Sequence, residues 1–255
     1  MKVSQITFSP TGGTDKVAEI ITKALGMPVE KIDLSDAETN YASLNLEKDD
    51  IAVIAVPSYG GRVPGLAAQR LFNIQGNQTP CVIVCVYGNR AYEDTLIELS
   101  DVAEKSGFKV IAAIAAVAEH SIMHQYAAGR PDAEDKDELN GFAGKIAEKI
   151  KDNPAGISAP QIPGNRPYKK AGGAGLVPKA GKNCTSCGLC AKACPARAIS
   201  RENLKTADGK KCISCMRCVV KCPQSARKVN GAMVSAAALA MKKVCSVRKE
   251  NELYL

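Results

Sequence analysis

Eight of the 11 cysteines lie between residues 184 and 222. They form two copies of one spacing, Cys184-x2-Cys187-x2-Cys190-x3-Cys194-Pro195 and Cys212-x2-Cys215-x2-Cys218-x3-Cys222-Pro223. The copies stand 28 residues apart and also align Ser186 with Ser214 and Ala198 with Ala226. Thiols this dense, in a chain that opens without a long apolar segment, point to metal rather than disulfides. Three closely spaced thiolates can wrap one face of an iron–sulfur cubane, while a fourth, followed by proline, leaves that turn. Zinc sites with four cysteines are the alternative, although zinc ribbons usually bring paired CxxC knuckles rather than triples with a trailing Cys-Pro.

A second set of candidate residues lies in three loops near the N-terminus. Ser9-Pro10-Thr11-Gly12-Gly13-Thr14 is short, rich in hydroxyls and leads straight into a helical pattern. Free N–H groups and the helix dipole bind phosphate at such a place, and Ser9, Thr11 and Thr14 can add hydroxyl donors. The plain structural reading is a turn with Thr14 as the N-cap. Neither GxxxxGK[ST] nor GxGxxG is present, which argues against a nucleotide hydrolase and a dinucleotide site. The second loop, Pro57-Ser58-Tyr59-Gly60, and the third, Tyr87-Gly88-Asn89-Arg90-Ala91-Tyr92, bring aromatic rings that stack well on a flat heterocycle. Phosphate at one end and aromatics at the other describe a mononucleotide such as FMN.

These loops need a scaffold, and the apolar pattern supplies one. Apolar or β-rich runs occur at 3–8, 29–32, 51–56, 81–86 and 110–117. Helical spacing occurs at 15–25, 66–72, 92–106 and 134–151. Strands that alternate with helices predict a parallel sheet covered on both faces. Ligands of such sheets sit at the carboxyl ends of the strands, near the topological switch, where the three loops begin.

With these loops in place, residues 1–150 resemble flavodoxins. Ser9-Pro10-Thr11-Gly12-Gly13-Thr14 is similar to the family's phosphate loop, and Tyr59-Gly60 to its second, aromatic loop. Gly88-Asn89-Arg90-Ala91-Tyr92 resembles the third loop, whose last Tyr stacks on the flavin. The resemblance implies a doubly wound α/β fold with five parallel strands in the order 2-1-3-4-5, and bound FMN. Arg62 and Arg90 depart from it, because flavodoxins tend to be acidic around the flavin; as cations near the ring they would raise its potential. The plainer expectation is two solvated arginines.

Residues 179–230 resemble two-cluster bacterial ferredoxins, which implies a small α+β ferredoxin-like domain built around two 4Fe-4S clusters. By that resemblance, cluster one takes Cys184, Cys187, Cys190 and Cys222, and cluster two takes Cys212, Cys215, Cys218 and Cys194. The whole chain resembles flavodoxin–ferredoxin fusion proteins of anaerobic microbes. This implies an intracellular electron-transfer protein linking FMN, two clusters and a redox partner protein or small redox carrier. A flavin-dependent oxidoreductase with a small substrate, and a redox-sensing binding protein, are the alternatives.

Composition divides the chain the same way. Residues 1–152 hold 15 Lys+Arg against 22 Asp+Glu, whereas residues 153–255 hold 19 against 4. The expected division is an FMN-binding domain at 1–152, a Pro/Gly-rich linker at 153–178, the ferredoxin domain at 179–230 and a helical tail at 231–255. Arg166, Lys169 and Lys170 are expected against the acidic first half, and the basic second half to dock there or on an acidic partner. No recognition motif supports nucleic acid, and a homodimer is compatible with the sequence. His120 and His124 read as loop or surface histidines, and Cys81 and Cys85 as small buried hydrophobes. The apolar runs near 110–118 and 232–241 are about half the roughly 20 residues of a membrane span. The expectation is a cytoplasmic chain.

Overall fold

The computed structural model describes residues 1–152, 158–173 and 175–255. The five apolar runs become β1 (Val3–Thr7), β2 (Val29–Asp33), β3 (Ile51–Pro57), β4 (Pro80–Tyr87) and β5 (Lys109–Val117). They form a parallel sheet in the order β2-β1-β3-β4-β5, with the switch between β1 and β3. This is the flavodoxin-like order. β1 is buried throughout despite Ser4, Gln5 and Thr7, and the Gln5 side chain is satisfied by Thr22 Oγ1 at 3.0 Å.

Helices cover both faces. α1 (Gly13–Ala24) and α4 (Ala133–Asp152) pack on one face through Val17, Ala18, Ile21, Leu139, Ala143 and Ile146. α2 (Gly65–Phe72) and α3 (Thr95–Lys105) pack on the other through Ala67, Leu71, Leu96, Leu99 and Ala103. Cys81 and Cys85 are buried in β4, and burial pushes both thiols up. α3 starts at Thr95 rather than near Tyr92, because Glu93 takes a positive φ of 46° in the turn before it.

The cysteine repeat folds as a separate small unit. β6 (Lys179–Ala180) pairs antiparallel with β7 (Arg227–Lys228). Between them, one-turn helices α5 (Leu189–Lys192) and α6 (Arg217–Val220) carry the third cysteine of each run. Each follows a residue in the left-handed region, Gly188 at φ 77° and Met216 at φ 60°, so the sequence repeat is also a conformational one.

The linker and tail differ from expectation. Of the linker's residues, 153–157, Pro154 and Gly156 among them, and residue 174 lie outside the described residues. The stretch around 164–170 is bound to the first domain rather than acting as a spacer. Asp94 accepts from the Asn165 N–H at 2.9 Å and the Lys169 N–H at 2.7 Å. Arg166 pairs with Asp101 and Lys169 with Glu93, as the charge division foretells. The tail forms α7 (Gly231–Cys245), capped by Asn230, and then a strand, β8 (Glu252–Tyr254). β8 joins the first sheet antiparallel to β5, with Leu253 opposite Ile114. Asn251 anchors it by accepting the Val117 N–H at 2.8 Å. No helix among the described residues is long and apolar enough to cross a membrane.

Candidate functional site

The loop between β1 and α1 is built to receive an anion. Gly12 takes φ 94°, which glycine reaches without the Cβ penalty. α1 therefore begins at Gly13, not at a Thr14 cap. Ser9 Oγ accepts the Asp15 N–H at 2.9 Å, and Gly12 O accepts that of Lys16 at 3.1 Å. Among the described residues, the N–H groups of Thr11, Gly12, Gly13 and Thr14 make no hydrogen bond within the chain. Burial pushes the Asp15 carboxyl up, partly offset by Thr7 Oγ1–H at 2.5 Å.

The three loops meet in a cavity of about 390 Å³, a volume that takes a small cofactor. Nine expected residues line it: Thr11, Gly13 and Thr14 from the first loop, Pro57, Ser58, Tyr59 and Gly60 from the second, Tyr87 and Gly88 from the third. Ser9, which is buried, and Gly12 are not among its lining residues. Burial pushes the Tyr59 phenol well up, with Cys215 adding to the effect.

Asn89, Arg90 and Tyr92 do not line this cavity. Asn89 is buried and donates to the carbonyls of Cys245 and Val247, both at 2.8 Å. The Tyr92 hydroxyl is 2.6 Å from Glu252 Oε2 and 2.9 Å from the Tyr254 hydroxyl. Both side chains face the tail, whose course the local sequence does not announce. The two arginines are neither beside the cavity nor simply solvated. Arg62 makes a two-point pair with Glu98, at 2.7 and 2.8 Å, and lies over the Tyr168 ring at 4.9 Å. Arg90 pairs with Glu93 at 3.0 Å.

Residues from three unexpected places complete the cavity. Glu119, His120, Ser121 and Ile122 follow β5, Gly172 and Gly173 come from the bound linker, and Ile213 and Ser214 come from the cysteine repeat. His120 Nδ1 accepts the N–H groups of Ile122 at 3.2 Å and Met123 at 3.1 Å. In the neutral ring this leaves the proton on Nε2. Burial, then the charge of His124, holds its pKa below the usual value. His124 is exposed and paired with Glu119 at 2.6 Å. Gly88 is required by close approach: a Cβ there would stand 2.6 Å from His120 Cδ2.

The eight cysteines of the repeat ring two small cavities. Cys184, Cys187, Cys190 and Cys222 line one with Leu189 and Arg227, and Cys194, Cys212, Cys215 and Cys218 line the other with Ile199 and Ile213. Each wall therefore takes three cysteines from one run and the last from the other. Ala198 N donates to Cys194 Sγ at 3.2 Å, and Ala226 N to Cys222 Sγ at 3.3 Å. Burial pushes the Cys215 thiol up to about 12. Among the described residues, no three His, Cys, Asp or Glu side chains close on a single-ion position.

Residues 183–227 match the 4Fe-4S dicluster domain. No curated protein matches the chain. Among solved structures, the flavodoxin of Streptococcus pneumoniae TIGR4 is 22% identical, with 58% of this chain and 99% of that one covered at a TM-score of 0.40. A flavodoxin from the domain Archaea is 16% identical, with 59% and 99% covered at 0.43. The rubredoxin oxygen:oxidoreductase of Desulfovibrio gigas is 16% identical, with 61% and 37% covered at 0.43. These likenesses are faint; the strand order itself makes the first domain flavodoxin-like.

The dicluster domain is held to the first domain by arginines. Arg217, between Cys215 and Cys218, donates to Ser9 O at 3.3 Å and Asp33 Oδ2 at 3.1 Å. Arg70 donates to Pro195 O at 2.7 Å, and Arg197 to Ala37 O at 2.8 Å and Glu38 Oε1 at 2.9 Å. The basic half thus docks on the acidic one, at the carboxyl ends of β1 and β2.

Proposed function

We propose that the chain is an electron-transfer protein that holds FMN in the three-loop cavity and two 4Fe-4S clusters in the dicluster domain. It exchanges electrons with an external redox protein or small carrier. One observation carries this reading: Ile213 and Ser214, within the Cys212–Cys215 spacing, wall the same cavity as the phosphate-type loop. A cofactor in that cavity would be next to the second cysteine set, within one chain.

The residues present fit both groups. The free N–H groups of residues 11–14 and the N-terminus of α1 suit a phosphate. Tyr59 supplies a ring for the heterocycle, and His120 keeps a neutral donor at Nε2. The cavities lined by Cys184, Cys187, Cys190 and Cys222, and by Cys194, Cys212, Cys215 and Cys218, suit two cubanes rather than single ions. Flavin supplies exchange of one or two electrons and each cluster supplies one. The chain's own part is to fix the centres close together and keep water from them. With residues 213–214 in the cavity wall, a cluster held by Cys194, Cys212, Cys215 and Cys218 would be the flavin's neighbour. A cluster held by Cys184, Cys187, Cys190 and Cys222 would lie where Cys187 is exposed and would serve the partner.

Purification without oxygen, followed by release of flavin and iron analysis, tests this. The expected result is about one FMN and about eight iron atoms per chain. Full iron with no flavin, even after FMN is added, would overturn the route.

A further inference from the structure

The two cysteine runs place different residues at one equivalent position of their cavity walls. Five residues after Cys194 stands Ile199, in the wall of the second cysteine cavity. Five residues after Cys222 stands Arg227, in the wall of the first. An internal repeat that keeps its cysteines, its prolines and one alanine has, at this position, an aliphatic side chain in one copy and a cation in the other.

Arg227 is 2% exposed and is the largest fully buried side chain. Its Nη1 donates to Leu204 O at 2.8 Å, and its Nη2 approaches Thr206 O at 3.3 Å and Pro178 O at 3.4 Å. Its Nε is buried with no partner. Among the described residues, no carboxylate pairs with it, and this half has only Glu202, Asp208, Glu250 and Glu252 to offer. A guanidinium stays protonated in proteins, and a buried charge without an opposite one is strongly unfavourable. The anions within its reach are cysteine sulfurs. Arg227 lines the first cavity with Cys184, Cys187, Cys190 and Cys222, and it is not among the residues that line the second.

We propose that Arg227 is a fixed counter-charge for the cluster held by Cys184, Cys187, Cys190 and Cys222, and that it raises the reduction potential of that cluster. The proposal rests on the two-cluster reading. Each cluster gains one electron and one negative charge on reduction, and a buried cation beside it favours that form. No proton needs to move. Net charge at the cluster is among the terms that set such potentials.

The test is a redox titration of the whole, iron-loaded protein, followed by electron paramagnetic resonance, for wild type, Arg227→Gln, Arg227→Met and Arg227→Lys. Iron content is measured on each. The neutral variants are expected to load iron and to lose about tenfold or more in the first cluster's reduction equilibrium, which is 59 mV for one electron. Lysine should fall between, and the flavin midpoint should stay, since Arg227 is not in the flavin cavity. Iron-loaded neutral variants with wild-type midpoints would overturn the proposal. Should only the cationic pair hold iron, the counter-charge is needed even for assembly, which supports it. Loss of iron from lysine as well would make Arg227 a structural plug and overturn it. Wild type without any 4Fe-4S signal would instead defeat the two-cluster reading.

Discussion

Replacing Gly88 with alanine should damage the flavin cavity through one neighbour. The new Cβ would stand 2.6 Å from His120 Cδ2 and 2.8 Å from its Cβ and Cγ. Real contacts are not that short, so the imidazole or the strand end must move. The ring is not free to swing away, because Nδ1 holds two backbone N–H groups at 3.2 and 3.1 Å. Each such bond is worth about 1 kcal/mol net, and overpacking typically costs about 1–3 kcal/mol. If the strain falls on the ligand-bound cavity, FMN binding weakens roughly 5- to 150-fold, at about tenfold per 1.4 kcal/mol. The assay is anaerobic titration of FMN fluorescence with the flavin-stripped protein. A double-mutant cycle sharpens it: Gly88→Ala with His120→Ala should recover most of the loss, since the clash is gone. Wild-type affinity and wild-type melting in Gly88→Ala alone would refute the geometry. A loss that His120→Ala fails to relieve would refute the assigned cause.

Three further outcomes follow from the same contacts. The depressed pKa of His120 means that the unfolded chain takes up its proton first, so the stability it contributes is full above about pH 6.5 and is lost as pH falls through the lower folded value. The melting midpoint of wild type should therefore drop more than that of His120→Gln between about pH 6.5 and pH 5, and parallel curves would contradict this. Cys215→Ala should cut iron by about four atoms per chain and also weaken FMN binding, because residues 213–214 lose their anchor. Normal flavin affinity after that iron loss would separate the sites. Asn251→Ala removes bonds to Val117, Asp135 and Glu138. It should lower stability by about 1–3 kcal/mol in urea titration of the loaded protein, and an unchanged midpoint would show that β8 contributes nothing.

The sequence legibly carried whatever was local. Continuous apolar runs fix strands because burial on both faces leaves no other pattern, and the cysteine spacing fixes the run because each turn must present three sulfurs at once. The first loop was readable for the same reason, since a helix start and its glycines are neighbours in the chain. The far wall of the cavity was not. His120 comes from the turn after β5, and Ile213 arrives from more than a hundred residues away by docking of arginines, which composition suggested without saying where. Tyr92 and Asn89 were assigned to the flavin because their loop is right. Tyr92 is turned by β8, three residues with no readable period, and Asn89 by the carbonyls of Cys245 and Val247 ahead of it. The described residues of the linker form no helix or strand, in keeping with their prolines and glycines. Those two residue types are silent on docking, which depends on polar bonds from Asn165 and Lys169 to Asp94.

The return of β8 to the first sheet makes the dicluster domain an insertion rather than an appendage. One connection is moored along α3, and the other ends as a sixth strand beside β5. In a module held at both ends, the gap between a flavin and a second cluster bound as proposed would be set by the fold, and a partner would have to come to the protein. The arrangement also orders events during synthesis. The ribosome releases β5 long before β8, so the edge of the first sheet stays open while the cysteines are presented for loading. It is closed by a segment that emerges only after them.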